Sequence, residues 1–189
     1  MEKFTKLKDK NEISNGDKEK VLYSGETLKV IEFENRPMIK EKDTVICIPY
    51  LIDTNQIILR YEYIPTFKYV DGQEYHVTLV GGGVEIGESP DKAILRELEE
   101  EAGIVLREDF KLEKMKELFM TKWSVNKYHP YIMTLTERDF HEIIAPTDGS
   151  REELLSKSVK VDVKLLGSLK PSDLITDYML LRLKEYLNL

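Results

Sequence analysis

The chain has 189 residues, of which 41% are hydrophobic, and its formal net charge is -7 at pH 7. That length fits one domain with a small appended piece, and the hydrophobic fraction suffices for a sizeable core. The acidic balance argues against a general nucleic-acid surface, which would need a basic stripe. No apolar run approaches the roughly 20 residues of a membrane helix, and no signal-like apolar region follows Met1, so we expect a cytoplasmic protein without a membrane partner.

The first part of the chain predicts a polar arm and then a small β subdomain. Residues 1–20 are rich in Lys, Asp, Glu and Asn without periodicity, which is typical of a frayed arm. In residues 21–33, β-prone stretches flank Ser24-Gly25, which favours short strands. We therefore divide the chain into an N-terminal region, 1–43, and a main domain, 44–189.

The main domain opens with three predicted strands, at residues 44–50, 56–63 and 74–80, because turn-forming residues separate three β-prone runs. Cys47 lies in the first of these runs, where a small hydrophobe suits a buried strand. We expect no disulfide, since this is the only cysteine.

A glycine-rich loop at residues 81–83 leads to a well-bounded helix. Residues 91–102 form a strongly helical stretch, with Ser89 as the predicted N-cap and Pro90 as the first helical residue. Gly103 lies where a left-handed C-terminal cap is needed. The sequence therefore predicts both ends of this helix.

Beyond the helix we predict strands at residues 112–120, 131–135 and 159–166. Residues 143–156 read as a polar, acidic connection, and residues 171–187 as a closing amphipathic helix. The predicted fold class is α+β, a mixed sheet flanked by helices.

The central helix presents a cluster of carboxylates. At about 100° per residue, Glu97, Glu100 and Glu101 fall within a third of its circumference. Glu97 and Glu101 form a like-charge pair that costs about 0.2–0.5 kcal/mol unless a cation offsets it. A solvated surface face is the alternative, but it does not explain the spacing of Gly82, Glu88 and Arg96. Hard oxygen ligands of this kind suit Mg²⁺ or Mn²⁺.

Gly82 is followed after five residues by Glu88. Seven residues later, residues 96–104 read Arg-Glu-Leu-Glu-Glu-Glu-Ala-Gly-Ile. Together these residues reproduce the complete Nudix box. The chain therefore resembles the Nudix hydrolases, with the box at residues 82–104. This resemblance implies an α/β/α sandwich and a metal-dependent pyrophosphohydrolase.

The resemblance also implies a role for each position of the box. Glu100 and Glu101 would be the principal metal ligands, Glu97 a further ligand or a base acting through water, and the Gly81 carbonyl a backbone ligand. Arg96 and Glu88 would orient the acidic helix through hydrogen bonds. Gly82 and Gly83 would let the backbone turn sharply and come close to the metal or phosphate.

Residues 58–65 and 79–88 look like the corresponding segments of ADP-ribose pyrophosphatases and nucleotide-sugar hydrolases. That likeness implies a small-molecule substrate, ADP-ribose or a nucleoside diphosphate sugar, and a homodimer in which N-terminal strands help to build the shared site. Glu62 departs from that group, which usually has arginine there. A carboxylate there would repel the substrate unless Arg60, Lys68 or a residue from a partner chain compensates. If Glu62 lines the pocket, we expect Glu62→Arg to raise activity on ADP-ribose; if it points into solvent, little should change.

The general base and the substrate contacts are less closely defined. In this subgroup a glutamate on a late loop can act as the base, so Glu152 and Glu153 are candidates, with an ordinary solvated loop as the alternative. Tyr61 and Trp123 are candidates for stacking on a base, with buried packing as the alternative.

Two other functions fit the same box. One is a Nudix hydrolase of dinucleoside polyphosphates, reduced nicotinamide dinucleotide or capped RNA ends. The other is a binding module that recognises a nucleotide without cutting it, although such a module would be expected to lose box glutamates and this chain keeps them.

Overall fold

The computed structural model describes residues 19–104, 106, 110–139, 156–170 and 173–189. Its first unit is a three-stranded antiparallel sheet, ordered β1-β2-β3. The strands are β1 (Lys20–Ser24), β2 (Lys29–Phe33) and β3 (Arg36–Lys40). The predicted small N-terminal β subdomain is confirmed, whereas most of the predicted arm lies outside the described residues.

The second unit is an eight-stranded mixed sheet with the central order β11-β5-β4-β10-β8. Its strands are β4 (Thr44–Leu51), β5 (Gln56–Tyr63), β6 (Tyr75–Thr78), β7 (Val80–Gly83), β8 (Lys111–Lys114), β9 (Leu118–Phe119), β10 (Lys127–Leu135) and β11 (Lys157–Asp162). β4 and β10 run parallel, and the other pairs are antiparallel.

The α-helices in the described residues are α1 (Pro65–Asp71), α2 (Pro90–Ala102) and α3 (Leu174–Leu187). One core, which includes Ile94 and Leu98, lies between the sheet and α2, and a second, which includes Met179 and Leu183, lies between the sheet and α3. The predicted mixed sheet flanked by helices, of class α+β, is confirmed. None of the described helices is long and apolar enough to cross a membrane.

Strand β4 shows why the sheet is apolar on both faces. Successive side chains of a strand point to opposite faces. Val45 and Cys47 accordingly join the core on the α2 side, and Ile46 and Ile48 join the core on the α3 side. Cys47 is fully buried, and burial raises the pKa of its thiol, as expected of a structural cysteine.

The pairing of β4 and β5 creates an opening in the sheet. These strands pair at Tyr50↔Ile57 and Leu51↔Gln56, at one end only. From there β4 continues alongside β7, and β5 continues alongside β6. The sheet is therefore split between the β4–β7 pair and the β5–β6 pair.

Several boundaries differ from those predicted. Residues 81–83 are not a loop but part of β7, where they pair with residues 44–46 of β4. This contact divides the predicted strand 74–80 into β6 and the start of β7. Helix α1 escaped prediction because it has only seven residues, although Pro65 at its start and Gly72 at its left-handed end, with φ 78°, are helix-boundary residues.

Most later elements are shorter than predicted, but the predicted strand 131–135 is longer, since β10 begins at Lys127. The predicted strand 112–120 is broken into β8 and β9, and the predicted strand 159–166 ends at Asp162, which caps a turn of 3₁₀ helix, Val163–Leu165. Helix α3 begins at Leu174, because the Asp173 side chain accepts a hydrogen bond from the Thr176 amide at 2.7 Å. The predicted connection 143–156 lies almost entirely outside the described residues.

Candidate active site

Helix α2 carries the box glutamates and is capped at both ends, as predicted. Ser89 accepts a hydrogen bond from the Lys92 amide at 3.3 Å. Gly103 adopts the left-handed conformation, with φ 66°, and its amide donates to the Glu99 carbonyl. Because the apolar face of the helix packs on β4 and β7, the carboxylates stand at a defined place on the sheet.

Arg96 ties the helix to the loop before it. Its guanidinium donates to both carboxylate oxygens of Glu88, at 3.0 and 3.2 Å, and to the Gly83 carbonyl at 3.0 Å. The hydrogen bond from Arg96 is the main cause that lowers the Glu88 pKa. These contacts hold the loop before the helix against the side of α2.

The same guanidinium also holds two glutamates of the helix. One terminal nitrogen of Arg96 donates to Glu97 at 2.7 Å and to Glu100 at 3.1 Å. Glu97 is only 7% exposed, and this burial raises its pKa, while Arg96 opposes the shift. Glu100 is exposed, so its side chain can leave Arg96 without losing a packed position.

Gly82 makes room for Glu97. A Cβ on Gly82 would lie 2.3 Å from a carboxylate oxygen of Glu97, and a Cβ on Gly81 would lie 2.1 Å from the Val45 carbonyl oxygen. Glycine at these positions lets β7 lie close to both Glu97 of the helix and the backbone of β4. The box thus requires glycine because of packing on the carboxylate, a reason that the sequence did not reveal.

Glu101 lies at the junction of the helix with β7. Its carboxylate accepts a hydrogen bond from the Gly81 amide at 3.1 Å. Burial raises its pKa to about 8, against the opposing effects of Arg60 and the Gly81 amide. Its backbone carbonyl accepts hydrogen bonds from Arg60 at 2.6 Å and from Ser158 at 3.1 Å.

The donor chemistry of these glutamates fits a hard divalent cation. A desolvated carboxylate such as Glu101 is stabilised in its charged form by a nearby positive charge, and oxygen ligands suit Mg²⁺ or Mn²⁺. In the described part of the chain, no three His, Cys, Asp or Glu side chains already converge as a metal site. The three glutamates instead bind groups of the protein: Glu97 and Glu100 accept hydrogen bonds from Arg96, and Glu101 accepts one from the Gly81 amide.

A cleft of about 290 Å³ lies where the sheet splits. We call it the sheet cleft. Its walls come from both halves of the sheet, from α1 and from the start of α3, and they include Ile46, Glu62, Phe67, Thr78, Gly81 and Tyr128. Gly81 lines the sheet cleft and its amide donates to Glu101, so one hydrogen bond connects the cleft lining to the box carboxylates.

The polar lining of the sheet cleft is acidic or neutral. Glu62 accepts a hydrogen bond from the Thr78 hydroxyl at 2.7 Å, and Asp173, the N-cap of α3, also lines the cleft. Lysine and arginine are missing from its described lining. Lys68 on α1 instead pairs with Glu74 at 2.5 Å.

Three of the predicted substrate contacts lie in three different places. Arg60 is 4% exposed and faces the end of α2, so it is placed to position Glu101. Tyr61 is 37% exposed and stacks on Tyr75, with ring centroids 5.3 Å apart. Trp123 is 45% exposed, and its carbonyl accepts a hydrogen bond from the Ile39 amide at 2.7 Å.

The structure therefore brings Gly81, Gly82 and Gly83 together with the box glutamates and Arg96, but neither Tyr61 nor Trp123 lines the sheet cleft. Glu152 and Glu153 lie outside the described residues, so their role as base stays a prediction.

Sequence reasoning missed Ser158 and Thr78. Ser158 binds the end of α2 from β11, 57 residues along the chain from Glu101. Thr78 binds Glu62 from the neighbouring strand β6. Nothing in the sequence marks these two hydroxyls, because only the strand pairing brings them to the site.

Comparison with known protein families places this site in context. The chain matches the NUDIX domain over residues 42–172, which is more than half of its length and includes the whole box. None of the curated proteins matches it. Members of this family hydrolyse nucleoside diphosphate-linked compounds. The chain therefore belongs to the Nudix family.

Proposed function

We propose that this Nudix protein is a metal-dependent pyrophosphohydrolase that splits ADP-ribose or a related nucleoside diphosphate sugar into a nucleoside monophosphate and a sugar phosphate. One observation carries the proposal: Gly81 lines the sheet cleft, and its amide donates to Glu101. A ligand with one group in the cleft would thereby extend its diphosphate toward the box carboxylates.

In this proposal Glu100, Glu101 and the Gly81 carbonyl would hold Mg²⁺ or Mn²⁺, and Glu97 would be either a further ligand or a base acting through water. A cation there would supply charge neutralisation at the diphosphate oxygens and a lowered pKa for an attacking water molecule. The net charge of -7 makes such a source of positive charge necessary for an anionic substrate.

The residues of the chain then provide position and orientation. Arg96 sets the spacing between the loop and the helix through Glu88 and the Gly83 carbonyl. Arg60 and Ser158 anchor the last turn of α2 through the Glu101 carbonyl. Such fixed polar groups contribute to catalysis because they need no reorganisation during the reaction. Glu97, or Glu152 or Glu153, would take the proton from water.

A screen of nucleoside diphosphate derivatives tests the proposal. The purified chain is incubated with ADP-ribose, nucleotide sugars, dinucleoside polyphosphates and reduced nicotinamide dinucleotide, with Mg²⁺ or Mn²⁺, and the products are separated by chromatography. We expect AMP and ribose 5-phosphate from ADP-ribose, and loss of hydrolysis in excess EDTA.

Two results would contradict the proposal in different ways. Undiminished hydrolysis in EDTA would remove the metal requirement. Cleavage of dinucleoside polyphosphates or reduced nicotinamide dinucleotide, with ADP-ribose and all nucleotide sugars left intact, would overturn the substrate assignment but keep the diphosphate chemistry.

A further inference from the structure

The side chain of Glu62 is held in one place at the wall of the sheet cleft. Its Oε2 atom accepts the hydrogen bond from Thr78 at 2.7 Å, and strand pairing between β5 and β6 keeps both residues in register. A carboxylate has about four lone-pair sites, so one bond from Thr78 leaves Glu62 able to accept more. Glu62 is therefore a positioned hydrogen-bond acceptor.

The other walls of the sheet cleft suit a flat ring. They include the aromatic rings of Phe67 and Tyr128 and the aliphatic side chains of Ile46 and Leu79. Ligand sites commonly combine such apolar walls with a few placed polar groups. At about 290 Å³ the cleft has room for one ring-containing group rather than for a whole dinucleotide.

The charge of the sheet cleft decides which end of a substrate it accepts. Glu62 and Asp173 both line it, and no lysine or arginine does so in the described lining. A phosphate beside Glu62 and Asp173 would face carboxylates with no lysine or arginine in the described lining, whereas the cation of the proposed function would draw the diphosphate to the Gly81 end of the cleft. A neutral group with N–H donors would instead complete the hydrogen bonding of Glu62.

We propose that Glu62, positioned by Thr78, is a specificity residue that accepts hydrogen bonds from the amino group of a nucleobase bound in the sheet cleft. The inference rests on the proposed function, since it orients the substrate with its base in the cleft and its diphosphate at the box. It assigns the amino-bearing bases adenine, guanine and cytosine as the preferred class.

This assignment reverses one expectation from the sequence. Glu62→Arg was expected to raise activity on ADP-ribose if Glu62 lined the pocket, on the assumption that the carboxylate meets the phosphates. The structure places Glu62 in the sheet cleft beside Thr78, and the lining of the cleft is suited to a ring. We now expect Glu62→Arg to weaken binding of an amino-bearing nucleoside, because it replaces an acceptor by a donor.

Nucleosides without phosphate test the cleft independently of hydrolysis. Adenosine, guanosine and cytidine are titrated into the protein beside their counterparts without the exocyclic amino group, which are purine riboside, inosine and pyrimidin-2-one riboside. Dissociation constants come from NMR chemical shifts. We expect the wild-type chain to bind at least one amino-bearing nucleoside about tenfold more tightly than its counterpart.

Two variants and a control complete the experiment. Glu62→Met should bring that ratio close to one, while Glu62→Gln, which keeps one acceptor oxygen, should retain part of it. Glu113→Met on strand β8, whose carboxylate pairs with Lys111, should leave the ratio unchanged. Thermal unfolding of every variant shows whether the fold is intact.

Failure of this inference is distinguishable from failure of the proposed function. If no nucleoside binds, if the amino group makes no difference, or if Glu62→Arg binds amino-bearing nucleosides more tightly, the inference is wrong even when ADP-ribose is hydrolysed. If the amino preference depends on Glu62 but no diphosphate compound is hydrolysed, the proposed function fails and the recognition by Glu62 stands.

Discussion

Glu99, Glu100 and Glu101 are consecutive glutamates of α2 in different surroundings. Glu99 and Glu100 are exposed, but only Glu100 contacts Arg96. Glu101 is half-buried and bonded to the Gly81 amide. Three identical side chains in one helical turn therefore offer a comparison in which size and helix propensity stay constant.

We predict that Glu100→Gln and Glu101→Gln each lower kcat by roughly 100-fold or more, because each removes a negatively charged oxygen ligand while preserving shape. Glu99→Gln is the matched control and should keep wild-type turnover. The measurement is steady-state hydrolysis at saturating Mg²⁺ with folded protein verified by circular dichroism. Wild-type turnover in either of the first two variants would contradict the metal-ligand assignment.

Tyr131 and Asp91 form a polar contact outside the carboxylate cluster. The ring of Tyr131 is fully buried in the core under α2, and its hydroxyl donates to Asp91 at 2.6 Å in the first turn of that helix. This hydrogen bond is the main cause that lowers the Asp91 pKa, and Lys114 adds to the effect. The pair thus links the start of α2 to strand β10.

Replacing Tyr131 by Phe tests this link. We predict a loss of about 1 kcal/mol in the free energy of unfolding at pH 7, since a hydrogen bond to a partly solvated charge is removed. Because the folded-state pKa of Asp91 is lowered, its stabilisation is complete above the unfolded-state pKa of about 3.9 and disappears as the pH falls through the lower folded-state pKa. Urea unfolding at several pH values should show the difference between Tyr131→Phe and wild type shrinking below about pH 4. A difference that grows in acid would refute the link.

At the scale of elements, strand β7 packs closely against helix α2 and strand β4 because Gly81 and Gly82 carry no side chains. The hypothetical Cβ of Gly82 meets the end of a glutamate side chain, whereas that of Gly81 meets the backbone of β4. A side chain can rotate away, but a paired strand cannot. The two glycines should therefore fail in different ways when substituted.

We predict that Gly82→Ala moves the Glu97 carboxylate and lowers kcat by at least about tenfold with little change in stability, because a flexible side chain yields. Gly81→Ala should unfold at a distinctly lower temperature, because β4 has to shift. Gly167→Ala, where an added Cβ meets nothing within 4 Å, is the control and should change neither quantity. Full activity of Gly82→Ala would show that the position of Glu97 is not critical.

At the scale of the whole molecule, the N-terminal sheet contacts the main domain through β3. The Ile39 amide donates to the Trp123 carbonyl at 2.7 Å, and the Ile39 carbonyl accepts from the Val125 amide at 3.0 Å. The outer strand β1 leaves Val21, Leu22 and Tyr23 exposed. Exposed apolar side chains grouped on one strand are typical of an interaction surface.

We predict a homodimer that uses this sheet, as the likeness to dimeric ADP-ribose pyrophosphatases implies. Light scattering at micromolar concentration should give twice the chain mass of 22.1 kDa. Tyr23→Lys should shift the protein toward the monomer, since it places a charge in an apolar contact. Ile52→Lys changes a comparably exposed residue in the turn after β4 and should leave the mass unchanged. A wild-type monomer would overturn the prediction.

The sequence by itself determined the parts of this protein that depend on local chemistry. Ser89, Pro90 and Gly103 specify the ends of α2 within the helix itself, and helical periodicity alone groups Glu97, Glu100 and Glu101. The box at residues 82–104 indicated the Nudix family, and the order of predicted strands and helices indicated the α+β class.

Only the tertiary structure decided which of these residues meet and what lies beside them. The bond between Thr78 and Glu62 spans 16 residues, and that between Arg60 and Glu101 spans 41. Both depend on strand register and on where β4 and β5 separate, and a one-residue slip would turn each side chain to the other face of the sheet. The sheet cleft and the burial of Glu97 and Glu101 therefore arise from packing of distant segments, for which no local pattern in the sequence exists.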